Sequence, residues 1–296
     1  GMEKYPISAG NIDKAKELLS KGEVDIIIGY EKVDPNNNST RPLFVRNDSE
    51  AEKLVFDKYC VNNLSTYLKR KETRNIGKIG IVAKGCDIRS IIGLIQENQI
   101  FKDKVFIIGM RCNGVVKGKE PDFDSLSSKC KYCKVHNPHL SDFVLGEAVN
   151  ETLSKDQKIS FEDVSEYNKL SREEKWKFWE EQFSKCIKCY ACRQACPLCY
   201  CNRCIVDLNM PQWIDPRSNP KGNFAWNIVR AYHLAGRCID CGECERVCPA
   251  GIPLMLLNRT LQEEVREKFN YEAGFDTEVK PPLTVFNPND LAEFIK

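Results

Sequence analysis

Two kinds of apolar pattern run along this chain, and they fall in different halves. In the first half, short uninterrupted apolar runs predict buried strands at Val24–Tyr30, at Lys78–Ala83 (KIGIVA) and at Lys104–Met110 (KVFIIGM). Between the last two, GCDIRSIIGLIQENQI places Ile88, Ile91, Ile92 and Ile95 on one helical face. Strand, helix and strand in that order predict a parallel pair joined by a right-handed crossover. Helical spacing also predicts a short helix at Asn11–Ser20 and a longer one at Glu50–Lys71. Beyond a boundary expected between residues 150 and 180 the strand pattern stops. Helices are predicted there at Ser171–Lys185, Asn223–Arg237 and Ile252–Phe269, with Trp176, Phe178 and Trp179 as packing residues. The expected fold is an α/β N-terminal domain with a parallel sheet over residues 1–160, followed by a mainly α-helical domain over residues 161–296.

The 296 residues suffice for about two domains. Lys and Arg number 44 against 42 Asp and Glu, a net charge of +2, which argues against a strongly basic nucleic-acid binder. No apolar run approaches the roughly 18 residues of a membrane helix, and the charged N-terminus has no apolar export core. A soluble, cytoplasmic protein without membrane insertion is expected. The chain nevertheless carries 16 cysteines. In a reduced cytosol that density points to metal or redox chemistry rather than disulfides.

Eleven of the sixteen lie between Cys186 and Cys248. CIKCYACRQACP places Cys186, Cys189, Cys192 and Cys196 before Pro197, and CIDCGECERVCP repeats the spacing at Cys238, Cys241, Cys244 and Cys248 before Pro249. This is the C-x2-C-x2-C-x3-C-P run of two-cluster ferredoxins, in which three cysteines grip one 4Fe–4S cluster and the fourth ligates the other. The expected ligand sets are therefore Cys186, Cys189, Cys192 and Cys248 for one cluster, and Cys238, Cys241, Cys244 and Cys196 for its partner. Structural zinc, the alternative, usually takes two separated C-x2-C pairs. The helical flanks make the segment resemble an α-helical ferredoxin.

Cys86 and Cys112 each follow a predicted strand, so both belong on the edge of the sheet where ligands gather. The C-x2-C of Cys130 and Cys133 completes either a third tetrathiolate site or a set of buried apolar cysteines. The order KGCDIR, GMRCNG and CKYCKVHNPHLSDFVLG is similar to the β-subunit family of coenzyme F420-reducing hydrogenases and formate dehydrogenases. That resemblance implies a 4Fe–4S cluster on these four cysteines beside a flavin, FAD, in an anaerobic oxidoreductase. It also implies partner subunits of the hydrogenase, formate dehydrogenase or heterodisulfide-reductase kind. No GxGxxG follows the strands, so Lys84 and Arg89, flanking Gly85 and Cys86, are the expected flavin phosphate contacts. His136 and His139 stand near the C-x2-C, although isolated loop histidines usually ligate nothing.

Cys60, Cys199, Cys201 and Cys204 remain. They form either a fourth site, iron–sulfur or zinc, or a core cysteine plus three thiols that support the neighbouring clusters. No Ser-His-Asp set, HExxH or P-loop is present. The expected function is an iron–sulfur electron-transfer subunit relaying electrons between a hydride carrier and other subunits, with a flavin-free polyferredoxin as the alternative. A zinc-stapled scaffold is the third reading. The tail LTVFNPNDLAEFIK is expected to dock on a partner or on its own domain.

Overall fold

The computed structural model describes residues 8–34, 38–118, 124–150, 161–286 and 288–289. The expected boundary at residue 160 and most of the C-terminal tail lie outside these residues.

Five strands form one sheet in the order β2-β1-β3-β4-β5: β1 (Ile26–Lys32), β2 (Thr40–Val45), β3 (Ile79–Ala83), β4 (Val105–Met110) and β5 (Phe143–Leu145). β3 is buried along its whole length, as a run of apolar residues covered on both faces must be. It pairs in parallel with β1 and β4, and β5 continues the parallel set, whereas β2 runs antiparallel on the edge. Helix α1 (Ser8–Ser20) covers one face through Ala15 and Leu18, which pack with Ile27, Val45 and Ile108. The crossover helix forms as expected, and it covers the other face.

The long helix expected at Glu50–Lys71 does not form. That stretch holds α2 (Asp48–Ala51), an irregular loop, a 3-10 turn at Leu64–Tyr67 and α3 (Lys71–Arg74). Its apolar residues Leu54, Phe56, Leu64 and Leu68 are buried. Polar side chains, however, compete for the backbone: Asn47 accepts from Glu50 N, and Asn63 accepts from Ser65 N. The crossover helix is α4 (Gly85–Gln96), and α5 (Ser128–Lys131) carries Cys130.

The second half contains α6 (Glu162–Asn168), α7 (Arg172–Ser184), α8 (Ala191–Ala195), α9 (Pro220–His233), α10 (Glu243–Arg246) and α11 (Leu254–Phe269). Ser171 and Glu174 close a capping box at the start of α7, and Asn219 with Pro220 starts α9. Trp179 and Phe183 of α7 are buried and Phe178 packs partly against them, whereas Trp176, expected to pack, is 59% exposed beside Phe224. This helical half lies on the outer side of α4. Leu198, Leu234, Val265 and Tyr271 share one core with Ile81, Ile91 and Leu94. Among the described residues, no helix is long and apolar enough to cross a membrane.

Candidate metal centres

The two cysteine repeats adopt the same backbone. Lys188 and Tyr190 in the first repeat, and Asp240 and Gly242 in the second, occupy equivalent positions, and all four have positive φ. Three of the four are not glycine, so each costs about 1–2 kcal/mol of backbone strain. Strain at matched positions marks a loop held by something other than its own propensity. The two loops lead into α8 and α10, which pack against each other.

The geometry pairs the cysteines across the repeats. Cys186, Cys189 and Cys192 line one cavity together with Cys248, while Cys238, Cys241 and Cys244 line a second together with Cys196. Among the described residues, no three Cys, His, Asp or Glu side chains gather tightly enough to grip a single metal ion. The sulfurs instead stand around spaces. Burial pushes the Cys238 thiol up to about 11 and raises Cys241 and Cys244 well above the ordinary range. Thiols packed this way ionise together only when a cation compensates them, which is what the irons of a cluster supply.

Cys86, Cys112, Cys130 and Cys133 are likewise brought to one cavity at the carboxyl ends of β3 and β4. Cys86 sits in the first turn of α4, and Cys112 follows β4. The C-x2-C loop closes over them because His136 is tied to Cys112 twice. Cys112 N donates to His136 O at 2.9 Å, and His136 Nδ1 lies 2.8 Å from Cys112 O. Backbone amides are already aimed at sulfur: Gly114 N donates to Cys112 Sγ and Val115 N to Cys130 Sγ, both at 3.3 Å. Burial pushes the Cys86 thiol up to about 12 and the Cys112 thiol higher still.

The residues expected to hold a flavin phosphate line this cavity, but their polar groups are engaged inside the protein. Lys84 Nζ donates to Tyr30 Oη, to Asn62 O at 2.9 Å and to Asp87 Oδ2 at 3.0 Å, which uses all three of its protons. Burial alone lowers its pKa, but Asp87, Cys86 and Cys112 together raise it further, so it stays charged. Arg89 donates to Ala273 O from Nε at 3.3 Å and from Nη2 at 2.8 Å, with Phe275 beneath it. Gly85 is covered by Val135. Lys84 therefore has no proton left for a phosphate and Gly85 no open face, whereas Arg89 keeps three N–H donors beyond those on Ala273 O.

Nor does the structure gather the last four cysteines. Cys60 is fully buried in the main core, where Asp57 N donates to its Sγ at 3.3 Å. Cys199, Cys201 and Cys204 line an open cleft elsewhere, between α3 and α9. His139 is engaged too, its Nε2 lying 3.2 Å from Gly274 O.

Three charged residues at these cavities give no sequence signal. Lys129 is buried in the Cys86 cavity, donating to Val61 O at 3.1 Å with Glu243 at 3.7 Å. Asp240 lines both the Cys86 and the Cys196 cavities and pairs with Arg259. Arg230 of α9 is buried on the wall of the Cys196 cavity. Only packing shows that these charges lie inside.

Residues 185–253 match the family of 4Fe-4S dicluster domains. The chain is 24% identical to the F420-dependent formate dehydrogenase subunit beta of Methanocaldococcus jannaschii over 358 aligned positions, which cover 90% of this chain and 92% of that protein. It is 26% identical to the F420-dependent formate dehydrogenase 1 subunit beta of Methanococcus maripaludis over 357 positions, covering 90% and 91%. Both alignments are longer than this chain, so the relatives carry segments that it lacks. Along nearly its whole length, then, the chain is similar to F420-dependent formate dehydrogenase beta subunits, and its second half carries a match to a 4Fe-4S dicluster domain.

Proposed function

We propose that this chain is an iron–sulfur electron-transfer subunit of an oxidoreductase complex, in which three cysteine-lined centres form a relay. Cys86, Cys112, Cys130 and Cys133 hold the inner centre. Cys238, Cys241, Cys244 and Cys196 hold the middle one, and Cys186, Cys189, Cys192 and Cys248 the outer one. A 4Fe–4S cluster in each supplies one-electron exchange. The observation that carries the reading is the shared wall: Asp240 borders both the inner and the middle cavity. From the middle cavity the packed pair α8 and α10 leads to the outer one, where Cys189 is exposed. The relatives' names supply the setting, a formate dehydrogenase of more than one subunit, within which this reading has the chain exchange electrons with other redox subunits.

Protein prepared anaerobically is expected to carry about twelve irons and as many sulfides per chain, with broad visible absorption and paramagnetic signals after dithionite. A colourless chain without those signals overturns the reading. About eight irons would remove the inner centre from it.

One observation favours the flavin-free form of this function. Lys84 spends all three of its protons on protein groups, and Arg89 gives two of its five N–H donors to Ala273 O, so the reading assigns no residue to FAD and derives no step through it. Denaturing the protein after incubation with FAD is expected to release none. Release of about one FAD per chain, the stoichiometry of a built cofactor site, would restore the flavin.

A further inference from the structure

We propose that Arg230 makes the middle centre the higher-potential of the two ferredoxin-type centres, so that an electron shared between those two comes to rest there. The inference builds on the relay above. Arg230 forms no ion pair with a carboxylate among the described residues, although its side chain is buried and permanently charged. Its Nη2 donates to Cys192 O at 3.1 Å, whereas its Nε is buried with no hydrogen-bond partner. A buried N–H of a guanidinium left unused is costly; Arg230 shares the lining of the middle cavity with Cys196, Cys238, Cys241 and Cys244, and also borders the cleft of Cys199. Asn258 adds a second donor, with Nδ2 3.6 Å from Cys244 Sγ. Asp240 also borders the cavity, but its carboxylate is matched by Arg259.

The outer cavity is built differently. Ile187, Trp226, Pro249, Ile252 and Leu254 line it; among the described residues no cationic side chain does, and Arg230 reaches it only through the Cys192 carbonyl. Reduction adds negative charge, and both a facing cation and N–H donors to sulfur stabilise the reduced state. The middle centre has both.

The test is a redox titration of the full chain carrying its clusters, followed by electron paramagnetic resonance, with iron and sulfide measured on each sample. Wild type is expected to resolve two ferredoxin-type midpoints. Cys189→Ser should alter the spectrum of the lower one, which assigns the upper to the middle centre. Arg230→Gln should shift the upper midpoint downward with little change in the lower, and Arg230→Lys should shift it part of the way. If Arg230→Gln fails to assemble, the partial shift in Arg230→Lys decides. With wild-type iron content, midpoints that stay in place or move equally overturn the inference, as does Cys189→Ser marking the upper one. A wild-type chain without clusters overturns the relay itself, and the inference with it.

Discussion

Gly85 lies so close to Val135 that a Cβ on it would meet the Val135 carbonyl oxygen at 2.0 Å and Cγ1 at 2.7 Å. Glycine is required here for space, since it lets the C-x2-C loop reach the first turn of α4. Gly85→Ala is therefore expected to push that loop, with Cys133, away from Cys86. Iron and sulfide should fall by about four each per chain, while the two ferredoxin-type signals persist. Unchanged iron in Gly85→Ala would show that the loop does not close the inner centre.

The crossed arrangement makes a separate prediction. Cys248 follows the second repeat but lines the cavity of the first, and Cys196 does the converse. Cys248→Ala should perturb the same paramagnetic signal as Cys189→Ser, and Cys196→Ala the same signal as Cys241→Ser. Each loaded variant should leave the other signal in place. If Cys248→Ala instead disturbs the signal that Cys241→Ser disturbs, the repeats are self-contained.

What could be read in advance divides along the range of the interactions. β3, α4 and β4 were legible because their burial is written in local runs and local spacing, and the repeats because their ligands recur every three residues. Edge strand β2 was not, since TRPLFV is only half-buried and includes Pro42, which an edge tolerates. The false helix at Glu50–Lys71 has the right apolar spacing, but Asn62 is occupied by Tyr30 and Lys84, elements far along the chain. Distance in sequence also hid the state of the expected phosphate contacts. Arg89 meets Ala273 at a separation of 184 residues. Cys60 was grouped with Cys199, Cys201 and Cys204 by elimination, and elimination carries no geometry.

Glu97 at the end of α4 receives Arg237 through two hydrogen bonds of 2.6 and 2.7 Å, and Tyr200 donates to it as well. The pair joins the sheet half to the helical half, and Glu97 is nearly buried. Arg237→Met leaves a carboxylate unpaired in that seam, at a cost of about 3 kcal/mol. Because loss of clusters makes unfolding irreversible, the measurement is the rate at which visible absorption bleaches at fixed temperature. Arg237→Met should bleach faster than wild type, and Glu97→Gln combined with it should recover part of the loss. Equal bleaching rates in all three proteins would mean that this ion pair adds nothing to the seam.

Cys60 tests the fourth site through pH. Burial pushes its thiol from an ordinary value near 9 up to about 12, and the charge of Asp57 pushes the same way. The folded chain therefore holds this proton more tightly than the unfolded chain. The resulting stability is fully present below pH 9 and is lost as pH rises from 9 towards 12, at up to about 1.4 kcal/mol per unit. Cys60→Ala removes that dependence while adding a roughly constant cavity cost of about 1 kcal/mol. The gap in bleaching rate at fixed temperature between wild type and Cys60→Ala should thus narrow from pH 8 to pH 10, with iron content equal in the two proteins. Loss of about four irons in Cys60→Ala would instead make Cys60 a cluster ligand and bring back a centre shared with Cys199, Cys201 and Cys204.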